Sequence, residues 1–190
     1  MNNKIKKLFK MGALLSFAVA MQGLQAKEQN VKPQGASKYF GFSVGQTTLK
    51  PRVLVAGGGV DDNSDIGYKL YAGYKYNSKF AVEGFYADMG SARIHTLSVP
   101  KGKVNYKLYG LSGVYTPQLT KRLNGIVKLG YADVSNSVNN GISYRQVKGG
   151  DIFGGLGLEY QLNSKVSIRG EYEYFDQDIQ MLSIGLNWKF

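Results

Sequence analysis

The sequence predicts an all-β protein, an eight-stranded antiparallel up-and-down barrel that crosses a membrane. Three observations predict it. The last nine residues, Leu182 to Phe190, alternate strictly between apolar and polar or small side chains. Seven further segments alternate in the same way, joined by connections that are short and long in turn. The N-terminus has the order of a secretory signal, and no later stretch is long and apolar enough for a membrane-spanning helix. A span must then be made of strands, each of which needs about 9–11 residues of period-2 alternation.

Met1–Lys10 carries Lys4, Lys6, Lys7 and Lys10 and no acid, Met11–Met21 is almost wholly apolar, and Gln22–Ala26 ends on a small residue. We expect cleavage after Ala26, with Ala18-Val19-Ala20 as the alternative site. Removing 26 of 190 residues leaves 164, enough for one domain, and takes away four of the lysines behind the net charge of +11. There is no cysteine, hence no disulfide and no thiolate metal site. The basic residues are scattered, and an exported chain meets little nucleic acid, so the high pI does not point there. Tyr 14, Phe 9 and Gly 25 suit a narrow barrel.

Lys27–Lys38 reads as a polar leader in the periplasm. The strands follow at Tyr39–Thr47, Gly67–Tyr76, Phe80–Met89, Val104–Thr116, Gly125–Asp133, Ile152–Leu162, Val166–Phe175 and Met181–Phe190. Asn77-Ser78-Lys79, Pro117–Asn124 and Asn163-Ser164-Lys165 are the short to medium connections. Thr48–Ile66, Gly90–Lys103 and Val134–Asp151 are long and rich in Gly, Asn, Ser and charge, while Asp176–Gln180 is short. Short turns on one side and long loops on the other are the habit of membrane barrels.

An internal echo supports this register. Tyr74-Lys75-Tyr76-Asn77-Ser78-Lys79 leads into a strand with Gly84 and Tyr86. Tyr160-Gln161-Leu162-Asn163-Ser164-Lys165 leads into one with Gly170 and Tyr172, 86 residues later. Four strands separate the two hairpins, so they should stand opposite each other.

Alternation alone does not say which face is inside; a soluble ligand-binding barrel is the other arrangement. The glycines decide it here. Gly41, Gly45, Gly73, Gly110, Gly130, Gly155, Gly157 and Gly185 share the polar face, and glycines suit the crowded lumen of eight strands. The other face carries Phe40, Phe42, Leu70, Val82, Tyr86, Leu111, Leu129, Leu156 and Tyr172, a lipid-facing band with aromatic rims. The lumen would then hold Lys69, Glu83, Lys128, Glu159, Arg169, Glu171 and Glu173. Charges so confined should be paired, because an unpaired one costs several kcal/mol. Glu83 and Arg169 occupy equivalent positions of the two echoing hairpins with opposite charge. They would form either part of an ion-pair plug or the latch of a narrow channel.

The segments Gly73-Tyr74, Val82–Gly90, Lys128-Leu129-Gly130, Gly157–Tyr160, Arg169–Tyr172 and the strand ending at Phe190 together resemble the OmpA-like transmembrane barrel family over Tyr39–Phe190. The resemblance implies an inward Glu on the third strand paired with an inward Arg on the seventh, matched by Glu83 and Arg169, with Lys128 and Glu159 joining the network. It also implies that Leu182, Ile184, Leu186, Trp188 and Phe190 form a C-terminal signal read by the barrel-assembly machinery. The chain departs from that family's pattern in that no peptidoglycan-binding domain follows Phe190. The implied place is the bacterial outer membrane, with both termini periplasmic and lipids and lipopolysaccharide around the barrel. The implied role is structural or surface-interacting: envelope integrity, adhesion or recognition through the loops.

Other sites carry less chemistry. Lys50, Arg52, Arg93, Lys101, Lys103, Arg145 and Lys148 lie in or near the long loops, where they would attract lipopolysaccharide phosphates or acidic host surfaces. His95, the only histidine, is placed in a loop without a Ser-His-Asp arrangement. A lipid-modifying enzyme would have to draw its nucleophile from Ser91, Ser98 or Ser143, so the expectation is no enzyme. Asp61–Asp65 is an acidic loop rather than a calcium loop, since Gly67 comes one place late and Ala72 stands where a bidentate Glu belongs. Gly57-Gly58-Gly59 lacks the Lys-Ser/Thr of a phosphate cradle. No cofactor and no metal are expected.

Overall fold

The computed structural model describes residues 36–49, 59–95, 102–139, 149–176 and 179–190. The expected signal, the leader up to residue 35, and Lys50, Arg52, Lys101, Arg145, Lys148, Ser98 and Ser143 lie outside them.

The strands are β1 (Ser37–Leu49), β2 (Gly59–Asp62), β3 (Ser64–Lys75), β4 (Phe80–His95), β5 (Gly102–Tyr115), β6 (Leu123–Asn139), β7 (Gly149–Gln161), β8 (Val166–Asp176) and β9 (Ile179–Lys189). β2 and β3 are one barrel strand interrupted at Asn63, and both pair with β4. The barrel therefore has eight staves. Every pairing is antiparallel, the order runs β4-β3-β1-β9-β8-β7-β6-β5, and a β4–β5 ladder closes the ring. At the seam, β1 pairs with β9 from Tyr39↔Lys189 to Leu49↔Ile179. Lys38 N donates to Phe190 O at 3.3 Å and Phe190 N to Lys38 O at 3.0 Å. Closure leaves no edge inside the lipid-facing band, as a hydrocarbon solvent demands.

The two echoing turns have the same chemistry. Asn77 Oδ1 accepts from Lys79 N (2.8 Å) and Phe80 N (2.9 Å). Asn163 Oδ1 accepts from Lys165 N (2.9 Å) and Val166 N (2.8 Å). Each side chain satisfies two amides that the reversal would leave unpaired. These turns mark the end of the barrel that also holds Ser37 and Phe190; we call it the turn end, and the opposite one the loop end.

The strands run further towards the loop end than their apolar alternation indicates. β4 continues to His95 and β6 to Asn139, and β2 lies within the stretch read as the first long loop. His95, Arg93 and Lys103 are thus on strands, and Asp62 is on β2 rather than in an acidic loop. Beyond the lipid a strand needs no apolar face, so Ser135, Asn136, Ser137 and Asn139 extend the sheet without a hydrophobic signal. One irregularity marks the rim. The β4–β5 register shifts between Asp88 and Ser91, and Gly90 there takes φ 75°, open to glycine but rarely to other residues. Ser91 N donates to Asp65 Oδ2 at 2.7 Å and holds the bulge against β3.

The outward face is as the alternation predicts. Phe42, Leu70, Val82, Leu111, Leu129, Leu156, Leu182 and Ile184 are exposed to what surrounds the barrel. Towards the turn end the rim is aromatic: Phe40 stacks on Trp188 at 5.4 Å and touches Phe190 at 5.9 Å. Phe80 and Tyr115 meet at 5.1 Å. Aromatic rings suit the boundary between lipid and water, and Trp188 and Tyr115 add a polar group there.

Candidate functional site: the stratified lumen

The inward residues form layers that repeat from stave to stave. Read from the turn end, β8 presents Ser167, Arg169, Glu171, Glu173 and Phe175, and β9 presents Asn187, Gly185, Ser183, Met181 and Ile179. Read the same way, β4 presents Ala81, Glu83, Phe85, Ala87 and Met89. On β8 and β9 polar groups lie towards the turn end, charges occupy the middle and apolar side chains lie towards the loop end, while Ala81, Val114 and Ile126 are buried apolar residues of the turn half. The expectation of a polar lumen holds for only about half of its length.

The middle layer brings together the charged residues singled out in the sequence. Arg169 Nη1 donates to Glu83 Oε2 at 2.8 Å. Lys128 Nζ lies 2.5 Å from Glu83 Oε1, 2.7 Å from Glu171 Oε1 and 3.6 Å from Glu173 Oε1. Lys69 Nζ donates to Glu171 Oε2 at 2.9 Å and also to Glu173 Oε2. Glu159 faces Arg169 directly across the β7–β8 ladder, 3.8 Å from its Nε, and its Oε1 accepts from Ser167 Oγ and, at 3.0 Å, from Asn187 Nδ2. All seven charged groups are buried, with exposures of 3% or less. Lys75, at 6%, is an eighth charge that the sequence reading missed, although its parity with Lys69 on β3 would have found it. With it, the described buried charges are four cations and four carboxylates. Such balance is what a low-dielectric interior requires, since each desolvated ion costs several kcal/mol.

Two tyrosines, also missed, clamp the arginine. The Arg169 guanidinium lies 4.9 Å from the Tyr39 ring centre and 5.0 Å from that of Tyr71. Tyr39 Oη also donates to Glu83 Oε2 at 3.0 Å. Glycines make this arrangement fit. Tyr39 faces Gly73 and Gly41 faces Tyr71 across the β1–β3 ladder. A Cβ on Gly73 or Gly41 would come within 2.2 Å of the opposing ring. The same device recurs nearer the loop end, where Gly110 faces Phe85 and Gly130 faces Phe153. Gly41, Gly73, Gly110 and Gly130 are thus floors on which aromatic rings lie, while Gly45, Gly155, Gly157 and Gly185 make room for close approach of neighbouring backbone, serine and glutamate atoms.

Above the charges three phenylalanines meet. Phe85–Phe153, Phe85–Phe175 and Phe153–Phe175 are 5.2, 5.7 and 4.9 Å apart between ring centres. They come from β4, β7 and β8, so the triangle spans the lumen. Met89, Leu108, Met181, Leu49 and Ile179, all buried, continue the apolar layer towards the loop end.

The remaining candidates stand apart from this centre. Leu182, Ile184, Leu186 and Phe190 face outward on or just after β9, with Trp188 at the rim. Arg93 is exposed, and Lys103 is its cross-strand partner. Ser91 Oγ donates to Asp65 Oδ2 at 3.1 Å, and His95 pairs with Gly59. Among the described residues no group of three or more His, Cys, Asp and Glu could hold a metal ion.

The model of the family described as outer membrane protein beta-barrel domain matches residues 11–190. No curated protein matches the chain. Among solved structures it resembles Neisserial surface protein A, at 18% identity and a TM-score of 0.56 over 83% of this chain and 100% of that one. It resembles the outer membrane protein OprG from Pseudomonas aeruginosa at 16% identity and a TM-score of 0.56, over 86% and 99% of the two chains. It also resembles Ail, the attachment invasion locus protein of Yersinia pestis. That structure, solved in complex with the heparin analogue sucrose octasulfate, is 15% identical, with a TM-score of 0.53 over 83% and 100%. At these identities the likeness is one of fold. The family match covers nearly the whole chain, and the protein belongs to the outer membrane protein β-barrel domain family.

Proposed function

We propose that the protein is a non-conducting outer-membrane scaffold that meets its partners at the loop end, in envelope integrity, adhesion or recognition, without enzymatic activity. The observation that carries this reading is the balanced set of buried charges across the lumen, with Arg169 bonded to Glu83 and held between Tyr39 and Tyr71. Such a layer opposes a continuous water path, because most of its ions are already paired with one another and passage would have to break those pairs. Proteoliposomes containing the protein should not swell in an isosmotic solution of a small sugar. Swelling above that of empty liposomes would favour the second reading, a narrow channel latched by Glu83–Arg169.

The loop-end partner we propose is an anionic surface, lipopolysaccharide phosphate or an acidic host glycan. Exposed Arg93, with Lys103 at the register position across the ladder, supports this reading, since basic residues close in the sheet attract anions. Lys50, Arg52, Lys101, Arg145 and Lys148 belong to the same proposal. Replacing the seven basic residues with alanine should weaken binding of lipopolysaccharide to the refolded protein, and unchanged binding would remove this part of the reading. The C-terminal residues Leu182, Ile184, Leu186, Trp188 and Phe190 are proposed as the segment read by the assembly machinery.

A further inference from the structure

We infer that the main barrier to passage through the lumen is the Phe85–Phe153–Phe175 layer, in series with the ion-pair network, so that the lumen is a half-channel hydrated from the turn end alone. The inference rests on the closed lumen proposed above and assigns the closure to particular residues.

Buried polar atoms without a hydrogen-bond partner in the protein are those that water would satisfy. Among the described residues these include Glu159 Oε2, Arg169 Nε and Nη2, and Asn187 Oδ1, all buried. They lie within the charged layer or on its turn-end side. Ser43 Oγ and Ser183 Oγ, also without partners, are level with that layer: Ser43 faces Lys69 and Ser183 faces Glu171 across their ladders. Buried polar atoms of this kind are normally satisfied by internal water, which needs a polar wall with two to four partners. The turn half of the lumen supplies such partners in Ser167, Asn187 and Glu159, beside the apolar Ala81, Val114 and Ile126.

The loop half does not. Past the three rings the inward side chains include Ala87, Met89, Leu108, Ala132 and Met181, which offer water nothing. The hydroxyl of Thr47 there already donates to Met89 O at 2.7 Å, and Tyr106, buried in the same half, is likewise engaged. An apolar constriction of this kind blocks ions by dewetting even where a narrow gap exists. The two barriers differ in kind. Charge pairs exchange for water and for one another, whereas the rings must be moved aside. Releasing the Glu83–Arg169 contact would therefore flood the turn half and still leave the pore closed.

The test is single-channel recording from the full chain refolded into planar bilayers, comparing wild type, Glu83→Ala, Phe153→Ala and the pair. Phe153 is chosen because its ring centre lies nearest to both others, at 5.2 and 4.9 Å. Heat-modifiable gel mobility identifies folded samples, and Phe175→Ala replaces Phe153→Ala if that variant does not fold. We expect no discrete steps from wild type or from either single variant, and reproducible steps from the pair. Steps from Glu83→Ala equal to those of the pair would show that the rings are no barrier. Steps from Phe153→Ala alone would show that the charged layer is none, and a silent pair would place the closure elsewhere; each of these overturns the inference. Steps from wild type would instead overturn the closed-lumen reading on which it rests.

Discussion

Replacing Arg169 with methionine removes the residue on which the lumen network turns. The side chain is 1% exposed and bonded to Glu83 at 2.8 Å, with Glu159 3.8 Å away and two tyrosine rings within 5.0 Å. Methionine keeps the volume of the stem and leaves four buried carboxylates facing three cations. Breaking a buried pair from one side costs about 3–5 kcal/mol, and each lost cation–π contact adds about 0.5–2 kcal/mol. Lys128 and Tyr39 still hold Glu83 and limit the loss, so we expect about 4 kcal/mol for Arg169→Met. Glu83→Gln added to it takes away the stranded charge. The double variant should then cost less than the sum of the single ones by at least about 1 kcal/mol. Urea unfolding in lipid vesicles measures this, with Trp188, the only tryptophan, as the reporter at the lipid-facing rim. Strict additivity, or an Arg169→Met change below about 0.5 kcal/mol, would refute the reasoning, because contacting charges must couple.

Two further substitutions test the two faces. Gly41→Ala places a Cβ 2.2 Å from the Tyr71 ring, whereas Gly170→Ala, on the outer face, meets nothing within 4 Å. The first should cost about 1–3 kcal/mol and the second less than about 0.5 kcal/mol in the same unfolding assay. Leu156→Arg, at an exposed position of the lipid-facing band, should destabilise by about 2–4 kcal/mol, while a comparable change at a site in contact with water would cost little.

Much of this was legible in the sequence, for reasons that also mark the limits. Period-2 alternation assigns every side chain within the lipid-facing band to a face, because lipid on one side and a crowded lumen on the other leave no third choice. The 86-residue echo paired Glu83 with Arg169 before any geometry was known, since equal hairpins four staves apart must oppose each other. Lys75 and Tyr39 carry inward parity but little signal, as one ends its strand and the other bears no charge. The Phe layer hid for a related reason. Phe85, Phe153 and Phe175 carry inward parity, but the inner face was expected to be polar, and only the register shows that the glycines opposite make room for rings. The extension of β4 and β6 could not be read, because Ser135–Asn139 lies beyond the lipid, where nothing forces alternation.

The central claim is that odd and even positions of each stave see different worlds, with the inner one dry towards the loop end. Single cysteines placed one at a time from Met181 to Trp188, in a chain that has none of its own, can carry spin labels into lipid vesicles. Collision rates with oxygen, which concentrates in lipid, and with a water-soluble nickel chelate then report each position. The account predicts oxygen maxima at 182, 184 and 186 and negligible nickel collision at 181. Oxygen maxima at the odd positions would invert the barrel, and strong nickel collision at 181 would mean an open aqueous lumen; either result contradicts the account.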